Sequence, residues 1–246
     1  RPRAPSRRCS RPMDPDLQRV QLTERLHLWQ RRQGHRVGTD DVLAAWAAAN
    51  ARPNAAAVLE LGCGHGAVTL MLAEALSNAR LLAIEAQDVS FGLLQRNVNE
   101  AALADRVETA LGDIRTTDAI GDRHFDLVTG TPPFMPLGSG TMPADAQRAA
   151  ARFELRGGVE AYCEVAAQHL APGGALSLVM DAERPERYER AVAAVGLHLE
   201  QVITVLAREG GAARYLVYRA GTSATSVTRS EMAVRTHQGA WTPAFA

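Results

Sequence analysis

From residue 56 onward, short apolar runs alternate with stretches whose apolar residues recur at helical spacing. The runs at 56–61, 81–85, 107–111, 125–130 and 175–180 predict strands. Residues 67–77, 89–102, 159–170 and about 184–195 predict helices, the third stopping at Ala171-Pro172-Gly173-Gly174. Strand and helix in regular alternation imply a mostly parallel sheet with helices on both faces. Residues 197–207 and 213–219 break the rhythm, because only Glu209-Gly210-Gly211 and a few neighbours separate them. That link is too short for a crossover helix, so these two strands form an antiparallel hairpin. Residues 135–157, rich in Gly, Pro, Ser and Ala, follow the fourth strand. An open α/β sheet has its ligand crevice at that place, and a long loop there reads as a lid.

The first strand runs into Glu60-Leu61-Gly62-Cys63-Gly64-His65-Gly66. Glycines at that spacing let the backbone turn sharply and let a ligand approach closely. Gly62, Gly64 and Ala67 also satisfy the dinucleotide fingerprint G-x-G-x-x-A. Glu85, at the end of the second strand, suits any ligand with a ribose diol. The expected fold is α/β, a Rossmann-like seven-stranded, mostly parallel sheet ending in a C-terminal antiparallel hairpin. Residues 25–220 make up that domain. Residues 1–24 read as a basic, flexible N-terminal extension and residues 221–246 as a C-terminal tail.

Charge changes the picture only at the N-terminus. The net charge is zero, and all 27 basic residues are arginine. Residues 1–36 hold ten arginines against Asp14, Asp16 and Glu24, whereas the remainder is acidic. A basic arm suits phosphates, although Met13 also reads as a natural start that would remove five of the ten. Cys9, Cys63 and Cys163 are too far apart for a metal-ligand pattern and suggest no disulfide framework. No apolar run approaches a membrane span, and the arginine-rich start lacks the apolar core of a secretory signal. A reducing, cytoplasmic location is expected, with neither a membrane nor a metal.

Three further features separate the cofactor alternatives. Glu60 stands two residues before the first glycine, Asp113 closes the third strand, and Thr131-Pro132-Pro133-Phe134 closes the fourth. A dehydrogenase has no use for the last motif. Together with Arg36-Val37-Gly38-Thr39-Asp40-Asp41-Val42-Leu43, Phe125-Asp126-Leu127-Val128 and the Gln147-Arg148…Arg152…Glu154 segment, they resemble the small-domain group of class I methyltransferases. Within that group the chain looks like the bacterial tRNA(Val) adenine-N6 methyltransferases. The resemblance covers roughly residues 25–220, and the terminal hairpin is the usual ending of that fold.

The resemblance implies S-adenosyl-L-methionine as cofactor. Glu60 and the glycines Gly62, Gly64 and Gly66 would cradle it. Gly38, Thr39 and Asp40 would flank its methionine end, Glu85 its ribose and Asp113 its adenine. Thr39-Asp40 also reads as a helix N-cap. Thr131, Pro132, Pro133 and Phe134 would hold the methyl acceptor. Here the chain departs from the group, which normally carries Asn where this sequence has Thr131. A carboxamide oxygen accepts from an amine, whereas a hydroxyl both accepts and donates. The expected function is N-methylation of a nucleobase amine, adenine in tRNA or other RNA. A small-molecule N- or O-methyltransferase and a catalytically impaired SAM- or RNA-binding protein are the alternatives. Phe134 reads equally as a stacking surface and as packing beneath the lid. Trp29 and Trp46 read as core, and His65 as an incidental occupant of the glycine turn.

Overall fold

The computed structural model describes residues 15–245, so residues 1–14, with five of the ten N-terminal arginines, lie outside the described residues. β1 (Leu17–Gln21) and β2 (His27–Arg31) form a small antiparallel sheet. β1 lies within the segment read as an extension. Leu28 of β2 is fully buried in the main core, and the hairpin is fastened by Asn97. Its Oδ1 accepts from the Trp29 N–H at 2.7 Å, and its Nδ2 donates to the Trp29 carbonyl at 2.9 Å.

α1 (Thr39–Ala51) follows, capped by Gly38, whose N–H donates to Asp41 at 2.8 Å. The cap therefore falls one residue before Thr39-Asp40. Five parallel strands with their helices come next. They comprise β3 (Ala57–Leu61), α2 (Ala67–Ala75), β4 (Arg80–Glu85), α3 (Asp88–Glu100), β5 (Val107–Leu111), β6 (Phe125–Gly130), α4 (Ala146–Arg152) and α5 (Val159–His169). β7 (Leu170–Asp181) and α6 (Pro185–Ala194) complete them, and β5 leads to β6 without a helix. β7 begins earlier than its apolar run because Leu170 already pairs with Phe125, before a register shift at the Pro-Gly-Gly segment. β8 (His198–Leu206) and β9 (Ala213–Gly221) are the antiparallel hairpin, and β9 also pairs antiparallel with β7.

The main sheet has eight strands, in the order β10-β8-β9-β7-β6-β3-β4-β5. The expected seven are present. The eighth, β10 (Thr228–Ala233), lies parallel to β8 at the edge, inside the segment read as a tail. Its sequence, TRSEMA, is mostly exposed and polar. An edge strand of that kind buries too little apolar surface to announce itself.

Successive residues of the inner strands feed two cores on opposite faces. Val58, Leu81 and Leu127 pack with α1, α2 and α3, whereas Leu59, Leu82 and Val128 pack with α5 and α6. Strands buried on both faces are apolar throughout. Chain order reverses at β3, with β4 and β5 to one side and β6 and β7 to the other. The crevice of such a sheet opens at the carboxyl ends of the strands beside the reversal. Trp29 is buried as expected, but Trp46 is 39% exposed on α1. Among the described residues no helix is long and apolar enough to cross a membrane.

Candidate active site

One cleft lies over the carboxyl ends of β3, β4, β5 and β6. Glu60, Gly62 and Gly64 line it after β3, Glu85 after β4, Asp113 after β5 and the Thr131–Phe134 turn after β6. Parallel strands deliver all of these from one sheet edge. Asp40 reaches the cleft from the first turn of α1. Gly38, Thr39 and Gly66 do not line it. Gly66 caps α2, and Gly38 supports Asp41, which does line the cleft.

The glycine turn is shaped by backbone geometry. Gly62, Gly64 and Gly66 have φ of 63°, 59° and 91°, the left-handed region. A Cβ on Gly62 would collide with the Tyr162 hydroxyl. Gly130, across the sheet, would set a Cβ 2.7 Å from the same ring. Tyr162 of α5 thus lies against two glycines at the floor of the cleft. Nothing local in the sequence distinguishes it from an ordinary core aromatic.

The carboxylates differ in what holds them. Glu85 accepts from the Gly64 N–H at 2.9 Å and the Gln87 N–H at 2.7 Å. Burial raises its pKa, and those amides hold it back. Glu60 is 2% exposed and accepts from the Thr69 hydroxyl at 2.5 Å. Burial, with Asp41 and Glu85 nearby, pushes it up to about 8. Burial and the Asp40 charge likewise raise Asp41. Asp113 is instead held low by Arg115, which donates to both of its oxygens at 2.9 and 2.7 Å. A carboxylate with two such donors still has free lone pairs.

Two histidines escaped a functional reading. His65 packs edge-on against His35, with ring centroids 5.6 Å apart, and both line the cleft. Burial disfavours the charged form of both and lowers His65 to about 3. Asn97, besides fastening the hairpin, donates to the His65 carbonyl at 2.8 Å. Cys63 is buried and its thiol is pushed well above its usual range, which removes it as a nucleophile. Among the described residues no cluster of three or more His, Cys, Asp or Glu could hold a metal.

The turn after β6, Thr131–Phe134, borders the same cleft. The Thr131 Oγ1 is buried and has no hydrogen-bond partner among the described residues. Phe134 is partly buried, lines the cleft and packs on Tyr215 with centroids 6.2 Å apart. The overhanging segment is closed at its base, where Met135 donates to the Arg152 carbonyl and Glu154 to the Met135 carbonyl. Ala150, Ala151, Arg156 and Gly157 from it form one wall. Gln147 pins it by donating to Ser90 at 3.0 Å and accepting from the His35 N–H at 3.2 Å. Arg187 grips its far end through Glu154 and binds Glu160 as well.

A family model described as "Methyltransferase small domain" matches residues 39–219. The chain belongs to that family. A tRNA1(Val) (adenine(37)-N6)-methyltransferase of Shewanella amazonensis is 30% identical over 86% of this chain and 89% of its own length. The protein of the same name from Tolumonas auensis is 28% identical over 90% of this chain and 91% of its own. Among solved structures, a predicted O-methyltransferase from Agrobacterium tumefaciens superposes with a TM-score of 0.63 at 21% identity, covering 83% of this chain and 92% of that one. A glycopeptide N-methyltransferase complexed with S-adenosyl-L-methionine gives 0.55 at 16% identity, covering 79% of this chain and 100% of that one. These two share the fold. This small-domain methyltransferase uses S-adenosyl-L-methionine as its methyl donor.

The residues present suit that cofactor. The ammonium of its methionine end would suit the buried carboxyl groups of Glu60 and Asp41. Its ribose diol matches Glu85, which backbone amides hold in place. No atom lies within 4 Å of where a Gly64 Cβ would be, so the backbone there is open to a ligand. The unpartnered Thr131 Oγ1 and His65 Nε2 offer polar atoms at two further points of the cleft.

Proposed function

We propose that this enzyme methylates the exocyclic amine of adenine in tRNA. The observation that carries the reading is the Thr131-Pro132-Pro133-Phe134 turn. It lines the cofactor cleft with a buried, unpartnered hydroxyl at one end and an aromatic ring at the other. A flat base against Phe134 would gain ~1–3 kcal/mol from stacking. The Thr131 hydroxyl and a backbone carbonyl of the turn would accept the two amine hydrogens, aiming the nitrogen lone pair into the cleft. When bound, S-adenosyl-L-methionine supplies an electrophilic methyl group on a good leaving group. Positioning therefore provides much of the acceleration, and a neutral amine needs no strong base. The tRNA substrate of the named relatives supports the reading, and a tRNA substrate would place the reaction in the cytoplasm.

In this reading Glu60 and Asp40 face the methionine end of the cofactor, Glu85 the ribose and Asp113 the adenine. Gly38 and Thr39 act indirectly, by starting α1 where Asp40 and Asp41 are needed. A base within folded RNA must be extruded to reach the turn.

One observation favours a second reading. Thr131 can donate as well as accept, and a donor suits an oxygen acceptor on a small molecule. Labelled methyl transfer separates the two. Protein and labelled S-adenosyl-L-methionine are incubated with tRNA, rRNA and small-metabolite pools from a host lacking the gene. Label in tRNA supports the first reading, and label confined to metabolites supports the second.

A further inference from the structure

A second depression adjoins the cofactor cleft, and His35 lines both. Arg36, Arg148 and Arg152 line it, with Gln30 beside them. Arg148 and Arg152 are one turn apart on α4, so their side chains leave the same face. The opposite side of α4 is anchored by the buried Gln147 and Ala149, and its Ala150 and Ala151 line the cofactor cleft. The backbone under the arginines is thus fixed relative to the acceptor site.

These guanidinium groups differ from most in the molecule. Arg31, Arg115, Arg187 and Arg229 are held by carboxylates, and Arg52 and Arg106 by backbone carbonyls. Arg36, Arg148 and Arg152 are exposed, and among the described residues their guanidiniums make no hydrogen bond or ion pair. Asp145, the nearby acid on the same segment, is occupied by Arg31 at 2.8 Å and by the Arg148 N–H at 2.9 Å. The chain after residue 36 has an excess of acids, so this cluster does not reflect a generally basic surface. Unneutralised guanidiniums on a fixed base, beside a site for a flat ligand, suit phosphates.

We infer that Arg36, Arg148 and Arg152 form a phosphate-binding track for the RNA backbone that flanks the target base. This rests on the reading that the acceptor is a base in tRNA. The track supplies a sequence-independent, salt-sensitive part of binding and leaves discrimination to the cleft.

The test compares wild type with the triple variant Arg36→Gln, Arg148→Gln, Arg152→Gln. Binding of tRNA from the gene-deleted host is measured by fluorescence anisotropy across a salt series. The expected result is at least tenfold weaker binding at moderate salt. The log–log salt slope should be shallower by about 2–3, from ~0.7–0.9 per lost phosphate contact. Affinity for S-adenosyl-L-methionine and thermal stability remain unchanged. In methylation assays KM for tRNA rises while kcat at saturation holds. A triple lysine variant recovers most of the slope, and Arg229→Gln, on the β10 side, changes nothing. Equal affinity and slope in wild type and the glutamine variant, or wild-type binding without salt sensitivity, would overturn the track. Label transfer by the wild type reads the acceptor assignment separately. Labelled tRNA with an unaltered glutamine variant refutes the track alone, whereas no label and no tRNA binding refute both.

Discussion

Glu60 accepts a hydrogen bond from the Thr69 hydroxyl inside the core, two residues before Gly62 opens the glycine turn. That hydroxyl favours the charged carboxylate, but burial outweighs it and pushes the group from 4.5 up to about 8. The cofactor-free native protein therefore binds more protons than the unfolded chain between about pH 4.5 and 8. Its stability should fall as the pH climbs through that window, because a raised carboxylate loses its advantage on ionising. Thermal melts of wild type and Glu60→Gln check this, the variant showing a flatter profile.

Cofactor binding should have the opposite slope. A cationic ligand beside Glu60 favours the carboxylate, so binding expels a proton near neutral pH. Calorimetry in buffers of different ionisation enthalpy should show proton release and tighter binding at pH 8.5 than at pH 6. Glu60→Gln should weaken binding by ~10–100-fold, the cost of a charge-assisted hydrogen bond, and abolish the proton release. Binding independent of pH would contradict the assignment of Glu60.

Asn97 fastens three backbone groups, two on Trp29 and one on His65. Asn97→Ala leaves them buried without partners, at ~1–3 kcal/mol each for those that water cannot reach. Denaturant unfolding should show a loss of several kcal/mol, and cofactor affinity should fall because the glycine turn is no longer braced. Asn97→Asp keeps one acceptor and should lie between the two.

Gly62 and Tyr162 should couple. Gly62→Ala brings a methyl against the phenol oxygen and also strains a left-handed residue, so stability and cofactor binding both drop. Tyr162→Phe removes the clashing oxygen but not the strain. A double-mutant cycle should therefore return part of the loss and leave ~1–2 kcal/mol. Strict additivity would refute the contact.

The central strands were legible because strands buried on both faces are continuous apolar runs. β6 begins and ends where its run does, and β4 extends its run by one residue. Glu60, Glu85, Asp113 and the Thr131–Phe134 turn were legible because they end successive parallel strands. β1 and β10 were not, since their alternation is weak and their polar faces meet solvent. Trp46 was misread because burial on α1 falls to its alanines and Leu43. Tyr162, Gln147 and the His35–His65 pair join segments far apart in the chain, and no local pattern encodes such contacts.

Thr131 should control the acceptor. Thr131→Ser keeps the hydroxyl and should retain most activity, whereas Thr131→Ala should reduce kcat by ~10–100-fold with cofactor affinity intact. Single-turnover rates with saturating cofactor check this. An unimpaired alanine variant would remove Thr131 from the acceptor site.

The most direct measurement is nucleoside-resolved mass spectrometry of tRNA from the gene-deleted host after incubation with the enzyme and isotopically labelled S-adenosyl-L-methionine. The account predicts labelled N6-methyladenosine, absent from reactions without enzyme and strongly reduced with Thr131→Ala. Unlabelled tRNA alongside labelled small metabolites, or label on another atom of another base, would contradict it.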